Sequence, residues 1–191
     1  MVDAKTLDPE AAEHILFSSA AQYYVAGRFA VHAALKPVAA NLMHHAIEMY
    51  LKGALLKSKT KSLKELKSKF GHSLPKCWNA FKAQVNDPAL SKFDAVVEEI
   101  HKYEDLRYPD GYPKVMESMF DVVRWTRPTL PSTTQTAPNY KLCLPDVDEL
   151  IAVILAAASL NPEVNLRFMK AEANEYVARD NSEATLTGKK S

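Results

Sequence analysis

Apolar residues recur every three to four positions along most of this 191-residue chain, the spacing of one face of an α-helix. The first such segment predicts a helix from Pro9 to Ala34, with small residues that let a neighbouring helix approach closely. The second segment, from Pro37 to Lys57, is apolar around most of its circumference. A helix with that pattern belongs at the centre of a bundle.

Prolines mark where later helices begin. Amide groups in the first turn have no hydrogen-bond partner within the helix, so the missing N–H of proline costs nothing there. The same periodicity predicts four further helices, at Leu74–Val85, Pro88–Leu106, Asp146–Leu160 and Pro162–Val177. Asp8 and Asp87 stand directly before prolines, as helix-capping residues do. We expect Asp146 or Asp148 to cap the helix that starts near residue 146.

Residues 109–144 lack clean helical punctuation, and five of the eleven prolines lie there. A structureless stretch of that length is unusual in a compact domain. The β-prone segments Phe120–Trp125 and Tyr140–Leu144 flank a turn-rich region and predict a small hairpin. A helical turn at Met116–Phe120 is the alternative.

Composition supports a helical protein and excludes several other classes. Glycine is scarce, 5 of 191 residues, and no glycine-rich phosphate loop or dinucleotide fingerprint is present, which argues against β-barrels, P-loop proteins and Rossmann domains. We therefore predict an all-α, up-and-down bundle of five to six helices with a small β-hairpin or irregular insertion. Residues 1–179 form one domain, the insertion covers about 109–144, and 180–191 form a flexible tail.

Charge and targeting signals favour a cytoplasmic protein. The net charge is +1, so no field of the whole molecule draws it to nucleic acid or membrane. The N-terminus carries acids where a signal peptide needs bases, and the longest apolar run, 150–158, is too short to span a bilayer. Cys77 and Cys143 lack metal or redox spacing and are expected to be ordinary thiols in a reducing compartment.

A polar stripe crosses the apolar second helix. Its members fall within one arc of about 100°: they are Asn41, His44, His45, Glu48 and Lys52. The stripe is either a narrow solvent face with an ordinary Glu48–Lys52 pair, or a polar seam at a cleft or subunit interface. His44 and Glu48 are spaced to share a metal ion, but no HExxH motif is present and no further ligand is in view. We predict no metal and no cofactor.

Arg107 lies at the end of the predicted fourth helix, and an inward-facing arginine needs an acceptor such as Glu104, Asp110 or Glu48. It is either one half of a structural ion pair or a ligand for phosphate. The segment 57–69 holds six lysines and one acid, and is either a solvated linker or a patch that tracks phosphates.

The remaining histidines carry no motif of their own. We expect His14, His32 and His101 to lie at the surface or at the edge of the core. His72 stands beside Ser73, where it can cap the third helix.

Three segments together resemble the HEPN superfamily. Asn41–Leu55 reads H-x-x-E-x-x-L-K-x-x-L, Gly71–Leu74 reads G-H-x-L, and Leu106–Asp110 contains RYPD at a helix end. The resemblance implies a helical bundle that often dimerises, and the family includes nucleotide-binding proteins, RNases, toxins of toxin–antitoxin pairs and partners of nucleotidyltransferases. It implies these ligand-binding candidates: His44, His45, Glu48, Lys52, His72, Arg107, Tyr108 and Asp110.

The sequence departs from the RNase members of that family at one position. Those enzymes have a histidine separated from the arginine by four to six residues. At those positions after Arg107 this chain has Tyr112, Pro113 and Lys114, and no histidine follows His101. RNA cleavage without a metal relies on groups that exchange protons near neutral pH, and histidine is the usual one.

The first hypothesis is accordingly an HEPN-type nucleotide- or RNA-binding module, cytoplasmic and homodimeric. The second is an RNase in which His44, His45 or His72 replaces the missing histidine. The third is an interaction partner of a nucleotidyltransferase or an antitoxin module. The sequence alone leaves open whether the chain is an enzyme.

Overall fold

A computed structural model describes residues 8–107, 123–124, 140–161, 170–179 and 181. The side chain of Arg107 and all of Tyr108 and Asp110 lie outside the described parts, and so do most of the predicted insertion and tail.

The chain folds into an all-α bundle, as its periodicity predicts. Its helices, in chain order, are α1 (Pro9–His32), α2 (Lys36–Lys57), α3 (Leu63–Glu65) with a π-helical turn (Leu66–Phe70), α4 (Leu74–Val85), a first 3₁₀ segment (Pro88–Phe93), α5 (Asp94–His101), a second 3₁₀ segment (Lys102–Arg107), α6 (Leu144–Ala157) and α7 (Ala171–Ala178). The predicted bounds of the first three long helices agree with α1, α2 and α4 to within two residues.

Two short strands, β1 (Val123–Arg124) and β2 (Leu142–Cys143), lie inside the two segments predicted to be β-prone. They pair in parallel, with Val123 opposite Leu142. The predicted hairpin is therefore wrong, because two strands joined by a tight turn run antiparallel and a parallel pair needs a longer crossover.

The caps follow the sequence at two helices and depart from it at a third. The carboxylates of Asp8 and Asp87 each accept a hydrogen bond from a backbone amide in the first turn of the helical segment that follows. The capping role predicted for Asp146 or Asp148 is wrong, because α6 begins earlier, at Leu144. Asp148 is instead buried, and its carboxylate contacts side chains of α1.

The central helix is α2. It lies along α1 and also packs against α4, α5, α6 and the second 3₁₀ segment. Most of its apolar side chains are buried, Val38 near its start being an exposed exception, and this confirms the central position that its pattern predicts. Within the described ranges, no helix is both long and apolar enough to cross a membrane. Cys77 and Cys143 are free thiols, as expected.

Gly53 and Gly27 allow α1 and α2 to approach closely. A Cβ atom added at Gly53 would lie 2.7 Å from a ring carbon of Phe17, which is buried in the core. A Cβ atom added at Gly27 would lie 3.0 Å from the flexible end of Met43. The Phe17 ring is a rigid group in a close-packed core, whereas the flexible side chain of Met43 adapts to small changes in shape.

Gly53→Ala is expected to lower the free energy of unfolding by about 1–2 kcal/mol, because overpacking outweighs the gain in helix propensity. Gly27→Ala is the matched control and is expected to be neutral or slightly stabilising. Urea denaturation of both variants measures the difference. Equal effects at the two positions would show that the Phe17 contact does not limit the approach of α1.

Candidate functional site

Glu48 is fully buried near the middle of α2, and both of its carboxylate oxygens have polar partners. Lys52 Nζ lies 2.5 Å from Glu48 Oε1 and also donates to the backbone carbonyl of Gly71 at 2.6 Å. His72 Nδ1 lies 3.2 Å from each Glu48 oxygen. These contacts tie α2 to the turn between the π-helical turn and α4.

Gly71 makes that turn possible. Its φ of +52° lies in the left-handed region, which side-chain-bearing residues rarely adopt. The turn aims the Gly71 carbonyl at Lys52 and brings the next residue, His72, onto Glu48. The predicted capping role of His72 is therefore wrong, since Ser73 occupies the N-cap position of α4.

Two further imidazoles lie beside the second carboxylate oxygen of Glu48. His45 Nδ1 is 3.6 Å and His44 Nδ1 is 3.9 Å from Glu48 Oε2. We call the group formed by His44, His45, Glu48, Lys52 and His72 the Glu48 cluster. All five are among the ligand-binding candidates predicted from the sequence, and the fold brings them together.

The imidazole rings form a continuous series. His45 meets both His44 and His72 edge-on, with ring centroids 5.6 and 6.3 Å apart. His101, at the end of α5, stacks on His44 at 5.8 Å. Three of the six histidines in the chain therefore lie beside the Glu48 carboxylate, and His101 joins them through its contact with His44.

His101 has a partner that sequence reasoning missed. It lies at the edge of the core, as expected, but against His44. Glu104, three residues further on, brings an oxygen to 3.6 Å from His44 Nδ1. The H-x-x-E spacing of His101 and Glu104 was the available signal, because residues three apart share one helix face.

Side-chain exposure increases across the Glu48 cluster, from His44 in the core to His72 at the surface. His44 is fully buried, and neither ring nitrogen has a hydrogen-bond partner among the described residues. The side chain of His45 is 20% exposed and that of His72 is 57% exposed. A solvent-face interpretation of the stripe is thus wrong for His44, Glu48 and Lys52, all of which are buried.

Burial and neighbouring charges set the protonation states in the interior. Burial would raise the pKa of Glu48, but contacts with His45 and Lys52 outweigh it and lower that pKa to about 2. Burial lowers the pKa of His44 to about 3, despite the attraction of Glu48. At neutral pH, Glu48 is therefore a carboxylate and His44 a neutral imidazole.

The lysine-rich segment leads directly into the Glu48 cluster and is largely exposed, as a solvated linker should be. Lys57 pairs with Glu13 and Lys69 with Glu65, each at 3.0 Å. The intervening lysines make no ion pair with any acid that the structure describes: these are Lys59, Lys61, Lys64 and Lys67.

A second buried polar group was missed entirely. Arg28 on α1 is fully buried and contacts the carboxylate of Asp148 at 2.5 Å, and Tyr24 donates a hydrogen bond to the same carboxylate. Arg28 also donates to the backbone carbonyls of Tyr176 and Arg179 at the end of α7. Arg28 joins α1, α6 and α7, and its signal in the sequence was that it is the single charged residue between Glu13 and Lys36.

A shallow groove of about 580 Å³ lies elsewhere, between α1 and α7. Its lining is mostly apolar and includes Val25, Phe29 and Tyr176. It contains no member of the Glu48 cluster, so the groove and the cluster are separate features of the bundle.

Comparison of the chain with known protein families, with curated proteins and with solved structures finds no significant match.

Proposed function

We propose that this chain is an HEPN-like nucleotide- or RNA-binding module whose ligand site is the exposed side of the Glu48 cluster. The proposal is supported chiefly by the meeting of two family-like segments. The stripe on α2 and the Gly71–His72 turn are joined by the Lys52–Gly71 hydrogen bond and the His72–Glu48 contact. The second 3₁₀ segment, which ends at Arg107, also packs on α2.

The chemistry of this surface suits phosphate groups. His45 and His72 bring imidazole rings to the surface, where a protonated ring nitrogen that Glu48 does not occupy can donate to a phosphate oxygen. The four lysines that pair with no acid in the described part of the chain, at 59, 61, 64 and 67, add positive charge along the adjoining segment. Local lysines can bind phosphates by releasing counterions even though the net charge of the whole chain is only +1.

Fluorescence anisotropy with a labelled single-stranded RNA and, separately, with a labelled ATP analogue tests the proposal. We expect binding that weakens with salt, and weaker binding by His72→Ala. For the double variant Lys64→Gln/Lys67→Gln, the slope of log affinity against log salt should fall by about 1.4, or about 0.7 for each lost phosphate contact. His14→Ala, at an exposed histidine of α1, is the control and should bind like the wild type.

Two results would overturn the proposal. One is a wild-type chain that binds neither RNA nor ATP at low salt. The other is equal affinity in the wild type and in both the histidine and the lysine variants, since binding would then occur elsewhere on the molecule.

The Glu48–His72 contact favours a second candidate, an RNase with a displaced histidine. A carboxylate that holds one ring nitrogen orients an imidazole for proton transfer through the other nitrogen. His72 would then take the proton of the 2′-hydroxyl, and His45, whose ring centroid is 6.3 Å away, would protonate the leaving oxygen. The wild type should cleave RNA in EDTA, and His72→Ala should lose at least about 10²-fold in rate. Binding without cleavage would leave the first candidate alone.

A further inference from the structure

The inward-facing side of the Glu48 cluster contains a set of metal-binding atoms to which the proposed phosphate contacts of His45 and His72 assign no role. One ligand atom from each of His44, His45 and Glu48 lies within 4.8 Å of the other two. All three are on consecutive turns of one helix, so their backbone positions are fixed by α2. Imidazole nitrogen and carboxylate oxygen are the donors that zinc and neighbouring transition metals accept in proteins.

The spacing around Glu48 Oε2 matches a tetrahedral ion. With bonds of about 2.1 Å, the ligand atoms of a tetrahedral zinc site lie about 3.4 Å apart. The Nδ1 atoms of His72, His45 and His44 lie 3.2, 3.6 and 3.9 Å from this oxygen. Side-chain rotation must bring the histidine nitrogens onto the ion, and the His72 ring must move furthest, because it lies outside the set of ligand atoms that are within 4.8 Å of one another.

His44 supplies independent support for a ligand. It is completely buried, yet neither nitrogen of its ring is hydrogen-bonded within the described part of the chain. Burying polar atoms without partners is costly, and such groups in folded proteins call for an explanation. A metal ion bound at Nδ1 would satisfy one of these two atoms.

Lys52 leaves one side of the carboxylate free for an ion. Its ammonium group donates to Glu48 Oε1 and also to the backbone carbonyl of Gly71. Among the residues that the structure describes, Glu48 Oε2 by contrast has imidazole nitrogens as its neighbours, at the distances given above. Glu48 would therefore bind an ion through Oε2 alone. His72, more than half exposed, is the ligand able to swing away and admit the ion.

We propose that His44, His45 and Glu48, with His72 as the fourth ligand, form a binding site for a divalent transition-metal ion, with zinc as the best fit. Hard ions such as Mg²⁺ and Ca²⁺ are disfavoured because they prefer all-oxygen sites. The inference goes beyond the proposed function and does not depend on it, since the site is defined without any nucleotide.

Zn²⁺ titration of the full chain, stripped with EDTA and exchanged into chelator-free buffer, tests the site. A chromophoric chelator competes for the ion and reports affinity and stoichiometry. We expect one Zn²⁺ per chain, a raised melting temperature with Zn²⁺ but not with Mg²⁺, and visible Co²⁺ absorption of tetrahedral intensity. His45→Ala and His72→Ala should each weaken Zn²⁺ binding at least about tenfold, whereas His14→Ala should not.

His45 and His72 are partly exposed, so these variants are suited to comparison as folded proteins, and circular dichroism verifies that they are folded. Failure to bind one equivalent of Zn²⁺ would overturn the inference. So would equal Zn²⁺ affinity in His45→Ala, His72→Ala and the wild type, or loss of affinity in His14→Ala, which would indicate binding at the surface. Because no RNA or nucleotide is present, none of these outcomes bears on the proposed function.

Discussion

Arg28→Met is expected to lower the free energy of unfolding by about 3–5 kcal/mol. The substitution leaves the Asp148 carboxylate buried without its guanidinium partner, and it removes the donors to two carbonyls at the end of α7. Methionine retains much of the apolar volume of the side chain, so the loss reports mainly on charge and hydrogen bonding. Urea denaturation followed by circular dichroism measures it.

Two further variants separate the buried pair from general effects of losing an arginine. Arg179→Met changes the same residue type at an exposed position and should alter stability by no more than about 0.5 kcal/mol. The double variant Arg28→Met/Asp148→Leu should recover part of the loss, because no unpaired charge then remains inside the bundle. A double variant no more stable than Arg28→Met would contradict this explanation.

Glu48→Gln is expected to lower the free energy of unfolding by about 3 kcal/mol in the metal-free protein. The buried Lys52 ammonium would lose its charged partner, while the amide of glutamine could satisfy only part of the hydrogen bonding. The measurement is again urea denaturation, with EDTA present so that bound metal does not contribute.

The chain offers a matched control with the same sequence spacing. Glu65 and Lys69 also stand four residues apart and pair at 3.0 Å, but on the exposed segment before α4. Glutamine at position 65 preserves the capping interaction with Ser62, so Glu65→Gln should leave the urea midpoint unchanged. Equal losses for the two substitutions would mean that burial of the Glu48 pair contributes nothing to stability.

The two glutamate–lysine pairs show where sequence reasoning succeeds and where it stops. Both are visible in the sequence as i,i+4 pairs, and both form. The apolar circumference of α2 places Glu48 on a central helix, but it leaves open whether the polar stripe faces solvent, because the turn at Gly71–His72 and the second 3₁₀ segment create the environment of Glu48. The stripe on α2 could therefore be found from its periodicity, but its burial could not.

The misassigned residues have the same cause. Asp148 was expected to act as a cap because it lies near the start of a helix. Its carboxylate instead pairs with Arg28, which lies 120 positions earlier in the chain. His101 was given no partner because His44 is far from it in sequence. The two strands were correctly placed by their β-prone residues, but their parallel pairing depends on the path between them.

The sequence by itself determined α1, α2 and α4, two helix caps and the central position of α2, because these depend on proline, capping side chains and apolar spacing within a few turns. The helix predicted from Pro88 to Leu106 is α-helical only over Asp94–His101, between two 3₁₀ segments. Only the tertiary structure decided that four histidines and two carboxylates adjoin one another, and that Arg28 is buried against Asp148. Burial and side-chain contacts are set by which distant segments cover a helix face, and the pattern within that face does not encode those partners.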